Sequence, residues 1–277
     1  MVKLKFSKMH GNGNDFVLIN ALKMRPQVLS RVKRRIKFLS DRRFGVGADQ
    51  VLLVLRSKKA DFEMKIFNAD GSDVEMCGNG IRCFLKYLHE KKITGKKKIT
   101  VSTKAGIVTP QFKGKLIEVD MGEPILSCRQ IPINWDGELI NRPLSLQSIK
   151  FFITCVSMGN PHCIIFVDNA NLFPVSTYGP LLEKHHLFPQ KTNVEFIEVV
   201  SKKHIRMRVW ERGVGETPAC GSGACAAAVA AHLNKKTTRK VKVELNGGIL
   251  KVEWNKKDNH VFMTGPAEYI YDGEIKI

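Results

Sequence analysis

Short apolar runs alternating with polar residues recur along almost the whole chain, the pattern of half-buried strands. In the first part they are Leu4–Phe6, Phe16–Ile19, Val51–Leu55, Phe62–Phe67 and Leu116–Val119. In the second they are Phe151–Val156, Ile164–Val167, Val194–Val199, Ile205–Trp210, Val241–Leu245, Ile249–Trp254 and His260–Met263, with the tail from Tyr269 to Ile277 as a last strand. Helical spacing is rarer. Leu29 to Leu39 predicts one helix, with Val32, Ile36 and Leu39 facing inward. Ile81, Phe84, Leu85 and Leu88 fall at i, i+3, i+4 and i+7 and predict a second. Ser222 to Leu233 predicts a third, rich in alanine and therefore strongly helical and slim enough for the concave side of a bent sheet. Leu181 to His186 predicts a short fourth. Between the two sets of strands, Glu123 to Ser148 carries Pro124, Pro132, Asp136-Gly137, Asn141 and Pro143 with weak periodicity, the features of a domain junction.

The two halves echo each other. Cys77-Gly78-Asn79-Gly80 precedes the helix that carries Cys83, and Cys220-Gly221-Ser222-Gly223 precedes the helix that carries Cys225. Each block follows a strand and a loop with glycine and an acidic residue, Asn68-Ala69-Asp70-Gly71 in one half and Glu211-Arg212-Gly213 in the other. Upstream, Met9-His10-Gly11-Asn12-Gly13-Asn14 is matched by Met158-Gly159-Asn160-Pro161-His162. The cysteines Cys77 and Cys220 are 143 positions apart, and Asn14 and Asn160 are 146 apart. Three echoes in one order at nearly equal offsets point to a duplicated domain.

Composition narrows the class. With 277 residues, 43% hydrophobic and 26% charged, the chain has ordinary globular usage and is long enough for one large or two small domains. No 18-residue window is uninterrupted apolar, so no transmembrane helix is expected. The segment Met1-Val2-Lys3-Leu4-Lys5-Phe6 alternates like a strand and lacks the apolar stretch of a secretory signal, so a cytoplasmic location is expected. The formal charge of +19 attracts anions. Its densest stretch, Arg31 to Arg43, sits on the predicted surface helix without an aromatic RNA-binding motif or zinc-finger spacing, so no specific nucleic-acid partner is expected. The seven cysteines are odd in number and include no CxxC pair, which argues against both a disulfide framework and a zinc site. No metal is expected. Cys83, Cys128, Cys155, Cys163 and Cys225 read as packing residues.

Cys77 and Cys220 are different because of where they stand. The start of a helix presents unpaired N–H donors and a partial positive charge. A thiol there is expected to have a lowered pKa, and the free N–H groups can hold a substrate carboxylate. One such element is a poised thiol at an anion site. Two of them are the equipment for inverting a stereocentre: one thiolate removes a proton from one face of a carbon and the opposite thiol returns one to the other face.

The long motifs are more specific. Lys8-Met9-His10-Gly11-Asn12-Gly13-Asn14-Asp15-Phe16, Phe67-Asn68-Ala69-Asp70-Gly71-Ser72, Met76 to Cys83, Ser157 to Cys163 and Glu211 to Cys225 resemble the signatures of the diaminopimelate epimerases over essentially the whole chain. The resemblance implies an α/β (α+β) fold of two pseudo-symmetric domains, each a curled, mostly antiparallel sheet or barrel around a central helix, with the active site in the cleft between them. It implies domains at 1–121 and 122–267, with the last strand, 268–277, returning to the first. It implies a cofactor-independent isomerase that interconverts LL- and meso-diaminopimelate in bacterial lysine and peptidoglycan precursor synthesis. By the same resemblance Cys77 and Cys220 are the catalytic pair. Asn14, Gln50, Asn68, Asn160, Asn193, Glu211 and Arg212 contact substrate, and Gly78-Asn79 and Gly221-Ser222 cradle a carboxylate. His162 and Glu211 set thiol protonation, and Tyr271 belongs to a homodimer contact. Glu211 and Arg212 fit either end of the substrate. Three alternatives stay open: a proline racemase-like or phenazine-biosynthesis-like enzyme on the same architecture, a nucleic-acid-binding module driven by the charge, and a redox-sensing thiol protein.

Overall fold

The computed structural model describes residues 2–147 and 149–277. Met1, which opens the predicted N-terminal strand and domain, and Ser148, the last residue of the predicted junction, lie outside the described residues. The chain divides into two compact units, Met1–Val119 with Gly265–Ile277, and Asp120–Thr264.

The first unit opens with β1 (Lys3–Gly11) and β2 (Asn14–Asn20), an antiparallel hairpin. Helices α1 (Pro26–Arg34) and α2 (Ile36–Ser40) cross over to β3 (Gln50–Leu55), which lies parallel to β2. β4 (Phe62–Asn68) turns back antiparallel, and the short β5 (Asp73–Val74) pairs with it. Helix α3 (Gly78–Glu90) leads to β6 (Val101–Thr103), parallel to β4, and β7 (Gly106–Val108) closes a hairpin with it. A second hairpin, β8 (Gln111–Lys113) with β9 (Leu116–Asp120), follows.

The second unit repeats this plan. After β10 (Arg142–Leu146), β11 (Ile149–Ser157) and β12 (Pro161–Phe166) form the hairpin, and α4 (Val175–Glu183) crosses over to the parallel β13 (Asn193–Ser201). β14 (His204–Glu211) returns antiparallel with the short β15 (Gly215–Thr217) on it. Helix α5 (Gly221–Leu233) leads to β16 (Lys240–Leu245), parallel to β14, followed by β17 (Gly248–Trp254) and β18 (Val261–Gly265). The last strand, β19 (Glu268–Lys276), pairs antiparallel with β1 and takes the place in the first sheet that β10 takes beside β11 in the second.

The first sheet has eight strands in the order β19-β1-β2-β3-β4-β6-β7 with β5 beside β4. Its path is open, so the α/β architecture is that of a bent sheet and not of a closed barrel. Each sheet is packed on its long helix. All of α3 from Gly78 to Leu88 is buried except Lys86, and α5 is buried from Gly221 to Ala231 except Ser222. A helix buried on every side needs narrow side chains. The alanine run of α5 supplies them, and the helix touches β11, β12, β13, β14, β16 and β17.

Three sequence expectations shift. The predicted helix Leu29–Leu39 is two helices, broken at Arg35, whose φ of −105° and ψ of 11° leave the helical region. The break keeps Val32, Ile36 and Leu39 all in the core beside Val17, Ile19, Val51 and Leu53. The short helix expected at Leu181–His186 starts earlier, after Pro174, and runs Val175–Glu183. Within the expected junction, Cys128, Ile131, Ile133, Leu139 and Leu144 join the core of the second unit. Among the described residues no helix is long and apolar enough to cross a membrane.

The seating of β19 on β1 depends on a missing side chain. Gly273 faces Phe6 across the ladder, and a Cβ there would stand 2.4 Å from the ring. The Tyr271 ring then meets Phe6 edge-on, 6.1 Å between centroids. Gly273→Ala is expected to destabilise the fold by about 1–3 kcal/mol through overpacking, read as a lower thermal midpoint, and Phe6→Leu in that background is expected to recover part of the loss.

Candidate active site

Cys77 and Cys220 are the N-cap residues of α3 and α5. Both have extended backbones, with φ and ψ of −139° and 115° at Cys77 and −116° and 117° at Cys220. In both, Sγ accepts the N–H three residues on, from Gly80 and from Gly223, at 3.4 Å. The second glycine of each C-G-x-G block therefore lies under the sulfur. At Gly223 the fit is tight: a Cβ would stand 3.3 Å from Cys220 Sγ and 2.6 Å from Glu195 Oε1.

Around Cys77, which is half-buried, the strands β2, β3 and β4 bring three polar side chains to one end of the sheet. Asn14 Nδ2 lies 4.0 Å from Cys77 Sγ. Gln50 and Asn68 are directly paired across β3 and β4, and Gln50 Nε2 donates to Asn68 Oδ1 at 3.0 Å. Asn68 Nδ2 donates to Ser72 Oγ. Asn14 Oδ1 and Gln50 Oε1 are buried acceptors with no protein donor. Such oxygens are costly to bury unpaired and suit a ligand's N–H groups. Gly78 and Asn79 are buried in the first turn of α3. Arg82, wholly buried, donates to Gly78 O, Asn12 Oδ1 and Pro266 O and holds that turn in place.

An ion network supports this end. Asp15, next to Asn14, accepts from Lys8 and from Arg42, and Arg42 also binds Asp49, next to Gln50. The two flanking carboxylates respond oppositely. Burial works against the charge of both, but the Arg42 and Lys8 hydrogen bonds overcome it at Asp15 and hold that carboxyl well below the usual range. Asp49 is pushed up, by burial and by the neighbouring Asp15.

Cys220 sits in different company. It is buried, with Ser222 Oγ 3.5 Å from Sγ. Burial raises its thiol well above the ordinary value, and the carboxylates of Glu211 and Glu195 add to the rise. The helix-start expectation of a lowered pKa thus fails at Cys220, because desolvation and two acidic neighbours outweigh the helix N–H groups. Glu211 is itself pushed up by burial, while hydrogen bonds from Thr217 and Cys220 pull it back. His162 is wholly buried: Nδ1 is 2.6 Å from Glu195 Oε1 and Nε2 is 3.1 Å from Asn160 Oδ1.

Two predicted contact residues act on the backbone. Asn193 Nδ2 donates to Pro161 O and its Oδ1 accepts from Arg212 N–H, bracing the loop after β14. Arg212 is exposed, with Nη1 bound to Gln190 O. Tyr271 lies on β19, 45% exposed, with its ring against Phe6 of β1. Sequence reasoning missed Glu195 and Glu183. Glu183, 4% exposed, accepts from Trp210 Nε1 and Gly213 N and holds the same loop. The available signal was an acidic residue inside the apolar run Val194–Ile197.

A profile of the diaminopimelate epimerases matches residues 6–127 and 154–270. A diaminopimelate epimerase of Acetivibrio thermocellus is 47% identical over 280 residues, covering 99% of each chain. One from Moorella thermoacetica is 49% identical over 281 residues, covering 99% of this chain and 100% of the relative. The chain belongs to the diaminopimelate epimerase family. Solved structures of lower identity share the fold: a Bacillus anthracis phenazine biosynthesis protein of the PhzF family (TM-score 0.73, 18% identity, 100% of both chains) and an Agrobacterium vitis hydroxyproline epimerase (TM-score 0.71, 14% identity, 99% of this chain and 92% of that one).

In this member of the diaminopimelate epimerase family, burial and the carboxylates of Glu211 and Glu195 push the Cys220 thiol up. Iodoacetamide modification of Cys220, followed by peptide mapping, is expected to stay slow at pH 8 and to accelerate only at higher pH. Glu211→Gln, which removes one of the opposing carboxylates, is expected to speed it at pH 8.

Proposed function

We propose that this chain interconverts LL- and meso-2,6-diaminopimelate without a cofactor, with Cys77 and Cys220 as the acid–base pair. The observation that carries the reading is the repeated cap: two cysteines in the same backbone conformation, each with its sulfur on a helix-start N–H, in a chain of the diaminopimelate epimerase family. The relatives are named for this reaction, and isomerisation of a small amino acid follows from the family.

The α-proton of an amino acid is weakly acidic, so the carbanion formed by its removal must be stabilised electrostatically. The first-turn N–H groups of α3 and α5, at Gly78-Asn79 and Gly221-Ser222, are donors suited to the α-carboxylate. In the direction where Cys220 is the acid, its raised pKa keeps the proton ready for delivery. In the other direction Cys220 must lose that proton first, and Glu211, which shares a hydrogen bond with the thiol, is placed to accept it. His162 acts on the same group of charges. Asn14, Gln50, Asn68 and Asn160 supply the polar contacts for the zwitterionic ends. Asn193 holds Arg212 in place, and Arg212 offers its guanidinium to a carboxylate.

The duplicated topology supports a two-domain organisation, 1–121 and 122–267, with 268–277 built into the first. The exposed Ile270 and Tyr271 on the edge strand β19 support a homodimer through that strand. A cytoplasmic enzyme fits the free thiols.

Incubation of the reduced protein with LL-diaminopimelate is expected to yield the meso isomer, resolved by chiral chromatography. Cys77→Ala and Cys220→Ala are each expected to lower kcat by a factor of at least about 10²–10⁴, the range of a general acid or base. Near-normal turnover by either variant would eliminate the two-thiol reading.

A further inference from the structure

Glu195 belongs to none of the motifs above, yet it is the most enclosed carboxylate of the second unit. It projects from β13 on the face that α5 covers, and neither it nor His162 has any exposed surface. Its Oε1 lies 2.6 Å from His162 Nδ1 and so close to the first turn of α5 that only glycine fits at position 223. Its Oε2 is buried with no hydrogen-bond donor.

An isolated carboxylate in such a place is strongly disfavoured, so the Glu195–His162 pair must be neutral as a whole. Two proton arrangements satisfy this without placing a hydroxyl on Oε2, which has no partner. Either the ring is doubly protonated beside an ionised Glu195, or a protonated Glu195 donates to Nδ1 of a neutral ring. In both, Nε2 carries a hydrogen. A neutral ring protonated only at Nδ1 leaves either a bare buried charge on an ionised Glu195 or, with the proton on Oε2, a buried hydroxyl that has no acceptor. Nε2 faces Asn160 Oδ1 at 3.1 Å, an acceptor only. The amide nitrogen of Asn160 is then turned away from the ring, at a half-buried position. The other titratable groups whose charges reach this cluster are Glu211, Cys220 and Cys155.

We propose that Glu195 is a positioning residue: by requiring a hydrogen on His162 Nε2, it fixes the Asn160 side chain with its N–H₂ group presented to an acceptor oxygen of the substrate, a carboxylate in the reaction proposed above. Without the carboxylate, neutrality no longer demands a proton on Nε2, and Asn160 is free to turn over and present its carbonyl, which repels the same oxygen. The proposal rests on the epimerase reading for the substrate contact of Asn160 and for the identity of that substrate.

The test has two arms. In protein labelled with ¹⁵N-histidine, with no substrate added, the His162 ring is expected to show a protonated Nε2, and Glu195→Gln is expected to lose that constraint. In steady-state kinetics on LL-diaminopimelate, Glu195→Gln is expected to raise KM about tenfold, the effect of one hydrogen bond to a charged group, with a smaller change in kcat. On an Asn160→Ala background the same substitution is expected to leave KM where Asn160→Ala alone puts it. An unprotonated Nε2 in the unsubstituted protein overturns the proposal, as does an equal effect of Glu195→Gln with and without Asn160. The first arm needs no turnover, and its reading of the unsubstituted protein needs no variant that folds. A protonated Nε2 in a protein that does not epimerise diaminopimelate would overturn the proposed function and leave this assignment standing.

Discussion

Everything chemical in this chain depends on a sulfur atom resting on the first turn of a helix. The contact is 3.4 Å in both units, and it dictates the residues around it. The cysteine must be the cap, with an extended backbone, so that its side chain folds back over the turn. The residue three positions on must leave room for the sulfur, which glycine does. The helix must enter the middle of its sheet so that the cap is sheltered, hence the slim, wholly buried α5. The duplicated topology repeats these constraints, helix by helix and strand by strand.

The surroundings then make the two caps unequal. Cys77 is half-buried, beside amides whose free oxygens want donors. Cys220 is buried beside Glu211 and Glu195, and the same cap that would favour a thiolate in water cannot do so there. Burial raises the cost of charge on the sulfur, and nearby carboxylates raise it further. An acid–base pair needs one member protonated while the other is not, and inequality of this kind is how a repeated fold can supply it.

Much of this was legible in the residues. Alternation located the long strands because each has one face on the core, and the cysteine–glycine blocks located both caps because the cap needs those residue types. The short strands β5, β6, β7, β8 and β15 were not legible, since two or three residues carry no period. The break at Arg35 was hidden because Val32, Ile36 and Leu39 keep helical spacing across it. Glu195 was missed because a strand pattern shows only that a residue points inward, and the partner that makes a buried acid tolerable, His162, lies 33 positions away. The pKa expectation failed for a related reason: proximity to a helix start is local, but burial and acidic neighbours come from the rest of the unit.

The most direct test of proton exchange through thiols is inversion in deuterated water. A thiol that delivers the new α-hydrogen exchanges with solvent, so meso-diaminopimelate formed from protiated LL substrate should carry deuterium at the inverted carbon, as read by NMR and mass spectrometry with no cofactor added. Formation of the meso isomer with protium retained at that carbon would contradict delivery by a second, solvent-equilibrated thiol.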